Sequence, residues 1–138
     1  MLKSNWEEVG AQVTLKQMDF AALLQYMNAR QFQALLVDFS GRVDPGVALS
    51  LFFDTRGSNN NGNYHNPQVD ALLAQGGASG DQAERTRIYR DVQRMVMEDA
   101  AMGLIDHPSI NNSIAKNVAN YALVADGSMR LTAVSLQK

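Results

Sequence analysis

Residues 32–45 read FQALLVDFSGRVDP, and the fold turns on how this stretch is interpreted. Its first eight residues, 32–39, are a nearly continuous apolar run, the pattern of a strand covered on both faces. SGRVDP then breaks the pattern, which predicts a loop over 40–45 at the carboxyl end of that strand. Upstream, Val9, Val13 and Leu15 give a short apolar alternation over 9–17 that suits another strand. Between the two, Asp19 has the chemistry of an N-cap, and Phe20, Leu23, Leu24 and Met27 mark one face of a helix ending near Arg30. Strand, helix and strand in this order predict a βαβ unit with parallel strands.

Downstream, residues 47–53 are apolar again and suit a short helix. Residues 54–66 are rich in Gly and Asn, the composition of a loop. Asn66-Pro67 has the order of an N-cap followed by proline at the first helical position. Val69, Leu72 and Leu73 supply the buried face of that helix, and the glycines of 76–80 should end it. Asp81 and Glu84 have capping-box spacing, with Asp in place of Ser or Thr. Ile88, Val92, Met95 and Val96 follow at helical spacing, to about Ala100. Residues 102–105 and 131–136 suit strands. With no repeat, low-complexity tract or linker, the 138 residues predict a single α/β unit over 1–138.

Several kinds of chemistry lack their residues. There is no cysteine, hence no disulfide, thiolate metal site or cysteine nucleophile. Neither a G-x-S-x-G elbow nor a G-K-[ST] phosphate loop occurs. His65 and His107 are far apart and lack ligand spacing, so no metal and no cofactor is expected. Net charge is −2, which offers no global attraction to nucleic acid. Arg85, Arg87, Arg90 and Arg94 form a basic stripe, but Arg87 with Asp91 and Arg94 with Glu98 stand four apart and neutralise much of it. No apolar run reaches the roughly 18 residues that span a bilayer. An enzyme is not expected.

The 39–44 loop stands apart, because ligands bind at the carboxyl ends of strands in parallel sheets. Phe39, Ser40, Gly41, Arg42 and Asp44 are the candidate ligand-binding residues. Arg42 offers a planar donor array for a carboxylate. Asp44 could accept from an ammonium or cap the helix beginning near Val47. The plainer alternative is a surface arginine beside a capping aspartate.

One ordered series carries a family resemblance. It runs from Trp6, Gly10 and VTLKQ through Asp19 to F-x-x-L-L-x-x-F-S-G-R-x-D-P. It continues through Leu51-Phe52-Phe53, Asn63-Tyr64-His65-Asn66-Pro67 and Val69-Asp70-Ala71-Leu72-Leu73. Asp81, Arg85, Ile88-Tyr89, Val92-Gln93, Glu98-Asp99-Ala100, Val118, Tyr121 and Arg130-Leu131 complete it. This series resembles the C-terminal part of the family 5 extracellular solute-binding proteins, the dipeptide, oligopeptide and nickel-type receptors of ABC importers.

The resemblance implies a three-layer half-lobe of a periplasmic binding protein type II fold, with a mixed sheet and flanking helices. It implies a C-terminal portion of a larger two-lobed protein that closes on a small peptide or other small molecule and docks on permease subunits. The start Met-Leu-Lys-Ser-Asn-Trp lacks the apolar stretch of a secretory signal, so a periplasmic location is expected only of the longer parent. Family members have Trp where Phe39 stands, and peptide receptors have an acidic residue where Arg42 stands. That departure favours a ligand with a carboxylate or other anion near the loop. A half-lobe without its partner should also self-associate through exposed apolar surface. The alternative, in a different class, is a free-standing small α/β enzyme or regulatory domain.

Overall fold

The computed structural model describes residues 1–39, 42–105, 109, 111–124 and 127–137. In chain order the elements are α1 (Leu2–Glu8), α2 (Phe20–Asn28), α3 (Pro45–Phe53), α4 (Pro67–Ala78), α5 (Gln82–Glu98), β1 (Val118–Ala119) and β2 (Ser135–Leu136). Contacts group them into two compact units, Met1–Leu35 and Leu36–Lys138. The division falls inside the apolar run 32–39.

In the first unit, α2 begins where Asp19 Oδ1 accepts the Ala22 amide at 2.9 Å. Met27 is its buried residue. The helix ends in a Schellman turn: Gln31 N–H reaches Tyr26 O and Arg30 N–H reaches Met27 O, both at 3.0 Å. Arg30 takes the left-handed conformation at the turn, with φ of 54°. α1 ends the same way with Gly10 at that position, φ 90°. Lys3 pairs with Glu7 and donates to Val13 O at 2.8 Å. The Lys16 ammonium lies 4.1 Å from the centre of the Tyr26 ring.

The second unit is a three-helix core. Leu49 of α3, Val69 and Leu73 of α4, and Ile88, Tyr89, Val92 and Val96 of α5 form one buried cluster. Ile88, Val92 and Val96 repeat every four residues, so one stripe of α5 faces α3 and α4 while Arg87, Arg90 and Arg94 face outward. Ile88, Val69 and Val92 are fully buried. Ile88→Ala would therefore cost about 2–5 kcal/mol.

Close approach of α4 to α5 depends on glycine. A Cβ at Gly76 would stand 2.6 Å from Tyr89 Cε1 and 3.2 Å from Ile88 Cγ2. A Cβ at Gly46 in α3 would stand 2.2 Å from the Tyr89 hydroxyl oxygen. The Tyr89 ring thus lies where two helices lack side chains. Gly76 and Gly77, expected to end α4, sit within it, and the helix runs on to Ala78. Packing against Tyr89 offsets the helix propensity lost at Gly76.

The predicted parallel βαβ unit is not formed. Neither 9–17 nor 32–39 is a strand, nor is 102–105. Of 131–136, Ser135 and Leu136 pair, antiparallel, with Val118↔Leu136 and Ala119↔Ser135. The cause is the nature of strand stability: a strand needs a neighbouring ladder as well as an apolar pattern. Among the described residues the ladder is confined to this two-residue pair, and Leu15 and Leu36 are 73% and 67% exposed rather than sandwiched. The α/β class holds only coarsely, as helices with one small sheet, and α1 lies in a stretch with no element expected.

Candidate functional site

The candidate loop leads into α3 through Asp44. Its Oδ1 accepts the Gly46 amide at 2.7 Å and the Val47 amide at 3.3 Å, while Pro45 at the first helical position has no amide to satisfy. Its Oδ2 accepts from Arg85 Nη2 of α5 at 2.7 Å. The Arg85 guanidinium also lies 5.3 Å from the centre of the Tyr89 ring. Loss of hydration pushes the Asp44 carboxyl up. The two amides and the Arg85 charge outweigh it and hold the group below its ordinary value. Each oxygen of Asp44 therefore already serves a bond within the protein.

Two open grooves meet at this pair. One, of about 550 Å³, runs between Asp44, Ser50, Asp54, Arg56, Arg85 and Tyr89. The other, of about 430 Å³, lies between Val43 and Pro45 on one side and Arg85, Thr86, Arg90 and Gln93 of α5 on the other. On the far rim of the first, Arg56 Nε approaches Asp54 Oδ1 at 3.7 Å, with the Arg56 side chain almost wholly exposed.

Of the other candidate residues, Phe39 packs edge-on against Phe52 of α3, with ring centres 4.7 Å apart. Phe53 continues this aromatic row to Tyr64 at 6.1 Å. Arg42 lies on the surface. Ser40 and Gly41 lie outside the described residues, as does His107. Arg87 and Asp91 approach at 3.9 Å, and Arg94 and Glu98 at 3.1 Å, as their spacing predicts. Arg85 departs from that row toward Asp44. Its partner is 41 residues away, so no local periodicity could have revealed the pair.

The Asn-rich 54–66 loop is a loop, as expected, and a heavily cross-bonded one. Asn60 is buried; its Nδ2 donates to Asp54 O at 3.1 Å and Tyr64 O at 2.8 Å, and its Oδ1 accepts the Tyr64 amide at 2.8 Å. At one end, Thr55 donates from its amide and its hydroxyl to the two oxygens of Asp70, at 2.8 and 2.6 Å. The Thr55 hydroxyl proton goes to Asp70, so the 2.9 Å contact with His65 Nδ1 is a bond donated by the imidazole. At the other end, the Tyr64 hydroxyl and Asn66 Nδ2 donate to Asp99 Oδ2 at 2.6 and 2.8 Å. Burial raises the Tyr64 hydroxyl and the Asp99 carboxylate raises it further, to about 12. Those same bonds from Tyr64 and Asn66 lower Asp99. For Asp70, desolvation acts upward, but the Thr55 bonds and the nearby His65 and Arg56 bring the carboxyl below its ordinary value.

Among the described residues, no three His, Asp or Glu side chains group as a metal site, and no helix is long and apolar enough to cross a membrane.

No family model matches the chain. Several bacterial binding proteins do resemble it along nearly its whole length. Di/tripeptide-binding protein 1 of Pseudomonas aeruginosa (strain UCBPP-PA14) is 22% identical over 141 residues, covering 100% of this chain and 26% of that protein. The dipeptide-binding protein of Escherichia coli (strain K12) is 22% identical over 142 residues, covering 99% and 26%. "Probable D,D-dipeptide-binding periplasmic protein DdpA" of the same strain is 25% identical over 123 residues, covering 86% and 24%. The chain spans about a quarter of the length of the relatives it matches. It is similar to dipeptide-binding proteins of solute-binding family 5, at low identity and in part of their length.

Proposed function

We propose that this chain is part of the substrate-binding component of an ABC importer for peptides or related small solutes. The ligand is held non-covalently between two lobes, and no bond is made or broken. The observation that carries this reading is the similarity, end to end along the chain, to proteins named as di/tripeptide-binding and dipeptide-binding. The parent acts in the periplasm, the location in the name of one relative, and passes its ligand to permease subunits.

On this reading, residues 1–138 are a C-terminal portion of the parent and half of one three-layer lobe. Residues 9–17 and 32–39, which form no strand in this chain by itself, become strands only by pairing with the rest of that polypeptide. Their apolar patterns and non-helical course support this, as does the exposure of Leu15 and Leu36. Without that cover the chain associates with itself. Leu36, Leu104, Leu123 and Leu131 are each more than 60% exposed, and such surface drives association. Sedimentation over a wide concentration range reads this directly, and a clean monomer throughout would count against it.

Phe39, Ser40, Gly41, Arg42 and Asp44 form the ligand-facing loop, with Asp44 anchoring it to α5 through Arg85. Arg42 recognises a carboxylate or other anion of the ligand. A hydrogen bond to a charged group contributes about 1.5–3 kcal/mol, so Arg42→Ala in the full-length receptor should weaken binding roughly ten- to a hundredfold. Arg42→Lys should recover part of it, since an ammonium lacks the planar fork. Calorimetry with the transported ligand makes the comparison, and equal affinities for wild type and Arg42→Ala would remove Arg42 from the site.

A further inference from the structure

The sequence contains one Asn-Gly pair, Asn61-Gly62, in the 54–66 loop. We propose that Asn61 is a site of spontaneous covalent modification, selected by the hydrogen bonding of this loop. The Gly62 amide nitrogen attacks the Asn61 side-chain carbonyl carbon. A new N–Cγ bond forms, the Cγ–Nδ2 bond breaks, and the nitrogen leaves as ammonia with the amide proton. Water then opens the succinimide. Cleavage of the new N–Cγ bond gives aspartate at 61; cleavage at the main-chain carbonyl gives isoaspartate. The balance is one water taken up and one ammonia released, with no oxidant or cofactor.

The selection comes from which amide is available. Every other asparagine of the loop is followed by a nitrogen that is already engaged or that carries no hydrogen. After Asn59, the Asn60 amide donates to Gly57 O at 3.0 Å, and after Asn60, the Asn61 amide donates to Asn59 O at 2.8 Å. After Asn63, the Tyr64 amide donates to Asn60 Oδ1. After Asn66 comes Pro67, which has no N–H. Among the described residues, nothing accepts the Gly62 N–H. Gly62 is exposed, and a Cβ there would meet nothing within 4 Å. Among the described residues, the Asn61 carboxamide is held only by a long bond, Nδ2 to Asn59 O at 3.4 Å. By contrast, the Asn60 carboxamide is buried and bonded at both ends.

The two products differ in consequence. Aspartate adds a negative charge and leaves the main chain unchanged. Isoaspartate adds a main-chain carbon inside the 60–64 span that Asn60 closes on Tyr64, and so loosens that clamp.

The test incubates the purified chain in mildly alkaline buffer, then maps its peptides by mass spectrometry and assays isoaspartate enzymatically. Conversion should appear at Asn61, with both products, while Asn59, Asn60, Asn63 and Asn66 stay amidated. Gly62→Val, which the open space accommodates, should lose the conversion, as should Asn61→Gln. In strong denaturant, where the loop bonds are gone, the contrast between Asn61 and the other asparagines should narrow. An Asn61 that stays amidated throughout, or conversion spread evenly over the loop asparagines in the folded chain, would overturn the proposal.

Discussion

Arg85 Nη2 of α5 donates to Asp44 Oδ2 across 2.7 Å, and the same carboxylate caps α3 through its other oxygen. One side chain therefore joins the start of α3 to α5, at the meeting of the two grooves. The two roles can be separated by substitution. Asp44→Asn keeps a good cap but loses the charge facing Arg85, whereas Asp44→Ala loses both. The expected order of urea midpoints is wild type, then Asp44→Asn, then Asp44→Ala. In an Arg85→Met background, Asn should cost little more than Asp. Equal midpoints for Asn and Ala would show that the cap contributes nothing.

Gly76→Ala sets two effects of opposite sign against each other. In an open helix the change would stabilise by about 0.5–1 kcal/mol. Here the added carbon meets the buried Tyr89 ring at 2.6 Å, and overpacking costs about 1–3 kcal/mol. Net destabilisation is expected. Tyr89→Leu should lessen the penalty, and a denaturant series on the two single variants and the double variant measures both.

Ala100 holds the left-handed position of the Schellman turn that ends α5, with φ of 51°. Its neighbours close the turn, Ala101 N–H on Val96 O and Ala100 N–H on Met97 O, both at 3.1 Å. That conformation costs an alanine about 1–2 kcal/mol, and glycine escapes it while losing about 0.5–1 kcal/mol to the flexibility of the unfolded chain. Ala100→Gly should thus raise the thermal midpoint modestly. Gly10→Ala, at the same position after α1, should lower stability, and differential scanning of both variants decides.

Asp44, Asp70 and Asp99 are all held below their ordinary values. Each binds its proton more weakly folded than unfolded, so each contributes stability above the unfolded value of about 3.9. That contribution is lost as pH falls through the folded values. Tyr64 behaves oppositely at the alkaline end. Its folded value is about 12, against about 10 unfolded, so its contribution is complete below about pH 10 and disappears as pH rises toward 12. Chemical denaturation across pH should show both edges, and Tyr64→Phe should remove the tyrosine part of the alkaline edge. An unchanged alkaline edge in that variant would assign it elsewhere.

The helices α2 to α5 were legible because their signals are local. Asp19, Asp44, Asn66 and Asp81 each act on amides two or three residues away, and all four cap the helices that follow them. Even there the local code was incomplete. Glu84 has capping-box spacing from Asp81, yet its carboxylate accepts from the Ser79 hydroxyl at 2.6 Å rather than turning back to the cap. The strands failed for the converse reason. An apolar run such as 32–39 states what a segment could do beside a ladder, and only the presence of a neighbour decides whether it does.

What the sequence by itself determined is the caps, the Ile88-Val92-Val96 stripe, the ion pairs of α5 and the lack of nucleophile and phosphate motifs. Tertiary structure alone decided that Arg85 leaves its basic row for Asp44, that Gly76 makes room for Tyr89, and that Asn60 ties a glycine-rich loop into a fixed shape. Each of these joins partners that the folded backbone brings together: Asp44 and Arg85 are 41 residues apart, and Asn60 takes its bonds from the path of the chain around it. Periodicity and capping reach about one helical turn, and contacts of this kind exist only once the helices have packed.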